Sequence, residues 1–361
     1  MTAPASPSSG ESTAEHSAKP SGFMAEFRDA VTLRAFGLVL GVLLVQIAFV
    51  VSYVGAFHSP TPHRIPVAVA APPQVSGKIV ARLDGLDDDP VKAMAAPSAA
   101  VARSWVLERK TDAAFVFNAT GTKDTLLVAS AAGPSVSQTA AQIAQKIEAA
   151  QKRQITVTDI RPPNAKDGRG MTPFYLVLGW VIGGYLTATI MGMAAGSRPA
   201  SRHRTLIRLA VLVPYAIVSG IAGAVIVGPL FGALSGHFWT LSGIGALIVL
   251  AAGTTALALQ TLLGLLGTGV VILLFVVLGN PSSGGVYPAP LLPSFWSAIG
   301  QALPPGAGTT LVRNTVYFSG HATAAALWVL GLYAAGGAVL AWAAAWWRER
   351  RQNTPEAAEL R

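Results

Sequence analysis

Charged residues disappear from long stretches of this chain and return in short clusters. Residues 35–57 contain no Lys, Arg, Asp or Glu, and they are long enough to cross a hydrocarbon layer of roughly 30 Å at about 1.5 Å per residue. Further apolar stretches run over 173–195, 209–229, 238–278 and 322–347. The 41 residues of 238–278 exceed the roughly 25 that one span takes. They predict two helices, 238–258 and 261–279, with the polar group Thr254, Thr255, Gln260 and Thr261 marking the turn. The pattern therefore predicts six transmembrane helices. A cleaved leader is the rival reading of the first, because Val54, Gly55 and Ala56 are small. Leader apolar regions of about 7 to 15 residues are shorter than this one.

Other periods occupy the remaining text. Residues 1–22 are rich in Ser, Ala, Pro, Thr and Glu without apolar periodicity, the composition of a disordered tail. Over 23–34, Phe23, Met24, Phe27, Val31 and Leu33 share one side while Glu26, Arg28, Asp29 and Arg34 take others, which predicts an amphipathic helix at a membrane surface. Between the first two spans, residues 58–172 read as a small α/β domain. Its strands are expected at 65–70, 113–117, 126–129 and 155–160, and its helix at 136–153. Residues 280–320 are apolar but broken by Pro281, Pro288, Pro290, Pro293, Pro304 and Pro305, which interrupt any long helix. Two short re-entrant helices are expected there, 291–303 with Phe295 and Trp296, and 308–318 with Arg313. Non-helical backbone at membrane depth must be buried in protein or line a water cavity.

Charge gives this pattern a direction. Of the 361 residues 52% are hydrophobic and 12% charged, against about a quarter charged in soluble domains. No Asp or Glu occurs between Asp167 and Glu349. Arg198, Arg202, His203, Arg204 and Arg208 follow the second span, and Arg348, Arg350 and Arg351 follow the sixth, whereas 235–237 and 280–320 hold only Arg313. Short loops keep positive charge in the cytoplasm, so both termini, including the tail 348–361, are expected inside and 58–172 outside. The 14 Lys and Arg against 10 Asp and Glu in 58–172 do not oppose this, since the rule weakens beyond about 60 residues. The chain has no cysteine, which rules out thiol chemistry and disulfides. Its Ala, Gly, Val, Pro and Arg bias resembles coding from a GC-rich bacterial genome and points to a plasma membrane.

Several activities lack their residues. Ion-coupled transport usually retains carboxylates or histidines within the membrane, yet only His237, His321 and Arg313 lie near the later spans, all at the external boundary. Gly121-Thr122-Lys123 lacks the spacing of a phosphate-binding loop, and Gly-x-Ser-x-Gly and His-Glu-x-x-His are absent. No catalytic residue, cofactor, metal site or nucleic-acid partner is expected. The small-residue pairs Gly179/Gly183, Gly192/Gly196, Gly220/Gly223, Gly228/Gly232 and Gly264/Gly267 read as helix packing in lipid. Gln46 and Gln260 read as interhelical hydrogen-bond partners.

The run Gly279-Asn280-Pro281-Ser282-Ser283-Gly284-Gly285 is followed by Leu292-Pro293-Ser294-Phe295-Trp296, by Leu303-Pro304-Pro305-Gly306-Ala307-Gly308, and by Leu311-Val312-Arg313-Asn314 with Tyr317-Phe318. Together with the entry helix and the order of spans, it resembles ABC-2 type transporter permeases, in the branch related to the YhgE and phage-infection-protein group. The resemblance covers most of 23–351. It implies a permease without a nucleotide site of its own, served by a separate ATPase subunit and paired with itself or a second permease, that exports an amphipathic or lipid-like substrate. It also implies that the loop with Arg198, Arg202, His203, Arg204 and Arg208 meets the ATPase, and that the helix with Phe23, Phe27, Arg28 and Arg34 moves with it. The segment with Phe295, Trp296, Pro304, Pro305 and Arg313 would be the external re-entrant part. The domain at 58–172 is short for that branch, where longer helical insertions occur. The rival from another class is a structural, receptor or secretion-machinery protein that acts through this domain.

Overall fold

The computed structural model describes residues 32–199 and 201–352. Phe23, Phe27, Arg28 and the segments 1–22 and 353–361 lie outside the described residues, as does the side chain of Arg34. The chain divides into two compact units, 1–47 and 48–361. Of the first, the described part is residue 32 and the opening turns of helix α1 (Leu33–Phe57).

After α1 in the chain a five-stranded sheet forms from β1 (Ile65–Ala70), β2 (Val91–Ala96), β3 (Ala113–Val116), β4 (Lys123–Val128) and β5 (Gln154–Asp159), ordered β2-β1-β3-β4-β5. Pairings are parallel except for β3 with β4. Helices α2 (Pro73–Asp84), α3 (Ala99–Leu107) and α4 (Pro134–Ala150) make the crossovers that parallel neighbours require. Alternation along β1 decides the two faces. Ile65, Val67 and Val69 join Leu83 of α2 with Val136, Ala140 and Ala144 of α4, while Ala68 and Ala70 join Ala102 and Val106 of α3.

One buried charge cluster pins this domain. Asp124 is fully buried, takes Arg153 Nε at 2.6 Å and Nη2 at 2.7 Å, and accepts the Asn118 amide at 2.7 Å. The β3–β4 turn is thereby tied to the entry of β5. Glu148 of α4 is buried beside them, its Oε2 without a hydrogen bond but 3.6 Å from Arg153 Nε. Burial, reinforced by the neighbouring Asp124 carboxylate, pushes its pKa up to about 7.

The remaining helices are α5 (Thr172–Ala195), α6 (Arg202–Val225, continued by a π-helical turn Ile226–Leu230), α7 (Phe238–Leu263), α8 (Leu265–Ser282), the short α9 (Ser294–Gly300) and α10 (Pro304–Tyr317), and α11 (Ala324–Gln352). Among the described residues six helices, α1, α5, α6, α7, α8 and α11, are long and apolar enough to cross a membrane. Leu206, Ile207, Val218, Leu266, Leu332, Val339 and Leu340 lie exposed on them, as lipid contact requires. This is the make-up of a multi-pass membrane protein.

Helix α7 is the axis, flanked by α5, α6 and α11, and glycines set the spacing. A Cβ at Gly220 of α6 would lie 2.2 Å from the Ser242 carbonyl of α7, and one at Gly337 of α11 would lie 2.6 Å from Thr254 Oγ1. The Trp180 indole of α5 is pressed against Gly223 and Gly245 and donates to the Ser219 carbonyl at 3.0 Å. Of the predicted small pairs, Gly220 and Gly223 make such approaches, while Gly179 faces open space.

The structure corrects several expected boundaries. The 238–278 stretch turns at Gly264 (φ +66°), not at 258–261. Thr254 instead lies against the Tyr333 and Ala334 carbonyls of α11, and Gln260 Nε2 donates to Thr189 and Thr268. Polar residues inside α7 join helices rather than end one. The second connection is short, because Ser201 caps α6 by accepting the Arg204 amide, so Arg202, His203, Arg204 and Arg208 are helical. Helix α11 runs on to Gln352, past the expected end at 347. Strand β2 and helices α2 and α3 are additions to the expected elements: β2 is Ala-rich, and α2 follows Pro72 with Pro73 in its first turn.

Two measurements test this packing. Gly220→Val forces α6 off α7 and lowers stability by about 1–3 kcal/mol in thermal melts of the detergent-solubilised chain, while Gly179→Ala is neutral or gains a few tenths to about 1 kcal/mol. Native Glu148 keeps its proton up to about pH 7, whereas the unfolded group releases it near 4.3. Its burial therefore weakens the fold progressively as pH rises between these values and remains costly above pH 7. Glu148→Gln is expected to raise the melting point at pH 8, by about 1–3 kcal/mol, and to lose this advantage near pH 4.5.

Candidate functional site

Two places gather polar groups that an apolar bundle would otherwise exclude. The first is where the broken segment enters the helices. Pro304 and Pro305 supply the first turn of α10, where a missing N–H costs nothing. Pro305 seats against Gly279, Gly306 lies against the Gly300 carbonyl, and Gly308 slots between Val177 of α5 and Ile248 of α7. The turn after α8 satisfies its own backbone: Ser282 Oγ donates to the Leu278 carbonyl at 2.7 Å, Ser283 Oγ to Asn280 at 2.7 Å, and the Gly285 amide to Ser283 Oγ at 3.2 Å. Ser52 of α1 donates to the Val277 carbonyl within the π-helical stretch of α8.

Arg313 and Tyr317 stand one turn apart on α10. Arg313 is 6% exposed and donates through Nη1 to the Gly284 carbonyl at 3.1 Å. The Tyr317 hydroxyl donates to Asp167 Oδ2 at 2.6 Å, and the other oxygen of Asp167 accepts the Thr172 amide at 3.0 Å and the Thr172 hydroxyl at 2.7 Å. Asp167 thus ties the exit of the sheet domain to the start of α5 and the end of α10. Nearby, Asn164 Nδ2 donates to the Ala233 carbonyl at 2.9 Å, the His63 amide donates to Pro290 at 2.8 Å, and Pro288 abuts Gly133. At φ +154°, with Pro288 Cγ 2.3 Å from any Cβ, position 133 accepts only glycine. The sheet domain is therefore fastened to the helices at several points.

The second place lies at the other end of α5, about 36 Å away at ~1.5 Å per residue over its 24 residues. Arg198 approaches the α7–α8 turn at Gly264, Arg202 Nε lies 3.8 Å from Glu349, and Arg348 donates to the Thr261 carbonyl at 3.3 Å. Arg350 and Arg351 stack on Trp346 and Trp347, each 3.9 Å from the ring centre. His203 and Arg204 are exposed. Arg208 is not part of this face: it is buried and donates to the Ala195 and Gly196 carbonyls at 3.1 and 2.7 Å, where a cation stabilises the C-terminal end of α5.

Of the residues singled out in the sequence, Pro304, Pro305 and Arg313 come together in the buried knot. Phe295 is exposed, and Trp296 packs edge-on against it and faces Gly55 of α1. Arg198, Arg202, His203 and Arg204 share one end face. The sequence reading missed Asp167, Tyr317 and Arg109, and it used Arg348, Arg350 and Arg351 only for orientation. Asp167 carried a signal: it is the last acidic residue before an acid-free run to Glu349. Comparison with family models, curated proteins and solved structures finds nothing that matches this chain.

The hub yields a direct test. Tyr317→Phe leaves a buried carboxylate oxygen without its donor and should cost about 1–3 kcal/mol in a thermal melt. Tyr175→Phe, on a side chain 61% exposed, should leave the melt unchanged.

Proposed function

We propose that this chain is the membrane-spanning permease subunit of an ATP-driven exporter of the ABC-2 type, of the YhgE and phage-infection-protein-like branch. It would work as a dimer with a separate ATPase in a bacterial plasma membrane. The carrying observation is the cationic end face, where exposed Arg198, His203 and Arg204 stand beside the ends of α7 and α11, with α5 leading from it to the Asp167 hub. Cationic short connections favour the cytoplasmic side, which would put both termini inside and the sheet domain outside. Such a face suits an acidic groove on a partner.

In this reading, nucleotide-driven closure of the ATPase pushes on the 196–201 connection. Helix α5 carries the displacement as a rigid element to Asp167 and, through Tyr317, to α10. The buried α10 and the knot around Gly279 and Gly284 then shift against α8, opening a path between paired subunits toward the outside. Apolar walls without carboxylates suit a lipid-like or amphipathic substrate.

Co-purification followed by ATPase assay tests the coupling. Because Arg202 is engaged with Glu349, the test uses Arg198→Glu with Arg204→Glu. ATPase recovered with the chain should lose its stimulation by about tenfold or more in the double variant, as charge reversal at an interface predicts. Stimulation unaltered in a folded double variant would remove this coupling.

A further inference from the structure

Between the sheet domain and α10 lies a cavity of about 300 Å³, at the lower end of the roughly 300–1,000 Å³ typical of ligand pockets. Its polar lining comes from Arg109, Lys110, Thr111 and Asp112 on the sheet-domain side and from Gln301, Thr310, Arg313 and Asn314 on the other, so three cations face one carboxylate, with Pro66, Pro288 and Pro290 among the apolar lining. Its charge is not balanced. Arg313 is almost fully buried, its Nε has no partner, and among the described residues no carboxylate lies within ion-pairing distance of it. Asp167 attracts Arg313 only at longer range, beyond ion-pairing distance, and its oxygens are taken by Tyr317 and Thr172.

Arg109 enters the same cavity from the loop after α3. Its Nη1 is 3.0 Å from Asp112, its guanidinium lies 5.0 Å from the Phe318 ring centre, and its Nε is also buried without a partner. Lys110 pairs with Glu108 at 2.6 Å and stays largely exposed. Two guanidinium groups therefore line one small cavity, each with a buried Nε that lacks a partner, and Asp112, paired with Arg109, is the one carboxylate in the lining. A buried charge without a counter-charge or full hydrogen bonding is strongly unfavourable, whereas two planar donor forks suit an oxyanion that accepts several charge-assisted bonds.

We propose that this cavity is a binding site for a phosphate-type oxyanion, held between Arg109 and Arg313 with Thr310 and Asn314 at its side. The site bridges the sheet domain and α10, so its occupant would fasten the two together. The proposal goes beyond the transport reading and does not depend on an ATPase partner. Two sources share the chemistry, a lipid phosphate headgroup and free phosphate.

The full chain in nonionic detergent, titrated calorimetrically with inorganic phosphate and with dihexanoyl phosphatidic acid, tests it. Saturable binding is expected. Arg109→Gln should weaken it about tenfold or more, the scale of one lost charge-assisted bond, and Arg103→Gln, on an exposed residue of the same domain, should not. Arg313→Lys, which keeps the charge and loses the fork, should also weaken binding; should it fail to fold, Arg109→Gln carries the test. Binding of phosphatidic acid alone assigns the site to a headgroup, and comparable binding of both assigns it to free phosphate, either result supporting the proposal. Absence of saturable binding of both probes, or a folded Arg109→Gln chain that binds as the parent does, overturns it.

Discussion

A backbone amide inside an apolar bundle has no water to bond, and every other feature of this protein is arranged around that constraint. Straight helices meet it by their own ladders, and here they approach so closely that glycines on α6 and α11 touch the backbone and side chains of α7. The non-helical stretch between α8 and α10 meets it differently. Its serine hydroxyls bond the carbonyls released at the end of α8, and its glycines let successive turns stack backbone against backbone. A broken segment is tolerated at this position because it consumes its own polar groups.

The same constraint makes the few buried charges informative. Arg208 is held by two carbonyls at the end of α5, and Asp167 by three donors at the start of it. Each caps an end of one helix, so α5 is fixed at both ends by charge-assisted bonds, which are about twice as strong as neutral ones. That makes α5 a rigid link between the cationic end face and the sheet domain. Arg313 differs from both, since a single carbonyl and an unpaired Nε leave its charge poorly met.

The sheet domain is stabilised without cysteine by two apolar faces and by the Asp124–Arg153 pair at its hairpin. Its α3 face is built of alanines, and its core runs on into the core of the helices. Small side chains there let the strands lie close to the bundle, and Gly133 against Pro288 is the tightest example. The domain is thus a fixed extension of the helical part, and displacement of α10 would be felt by it.

The spans were legible in the sequence because burying charge in hydrocarbon is costly, so charge-free runs of the right length have few other readings. Their number and the inserted domain followed from that, and two short helices after α8 from proline, although these start at Ser294 and Pro304 where 291 and 308 were expected, because Pro304 and Pro305 open a helix instead of breaking one. The turn at Gly264 was not legible, since a polar run such as Thr254 to Thr261 reads as a loop until the helix that accepts its hydrogen bonds is in place. The same holds for Arg208, which looks like its neighbours in a charge cluster and differs only in facing inward. Asp124 and Asp167 became hubs through partners 29 and 150 residues away, and pattern along a chain cannot show who will be opposite. Local chemistry alone determined where this chain is apolar. Tertiary structure decided which charges are met, because pairing depends on elements brought together only by folding.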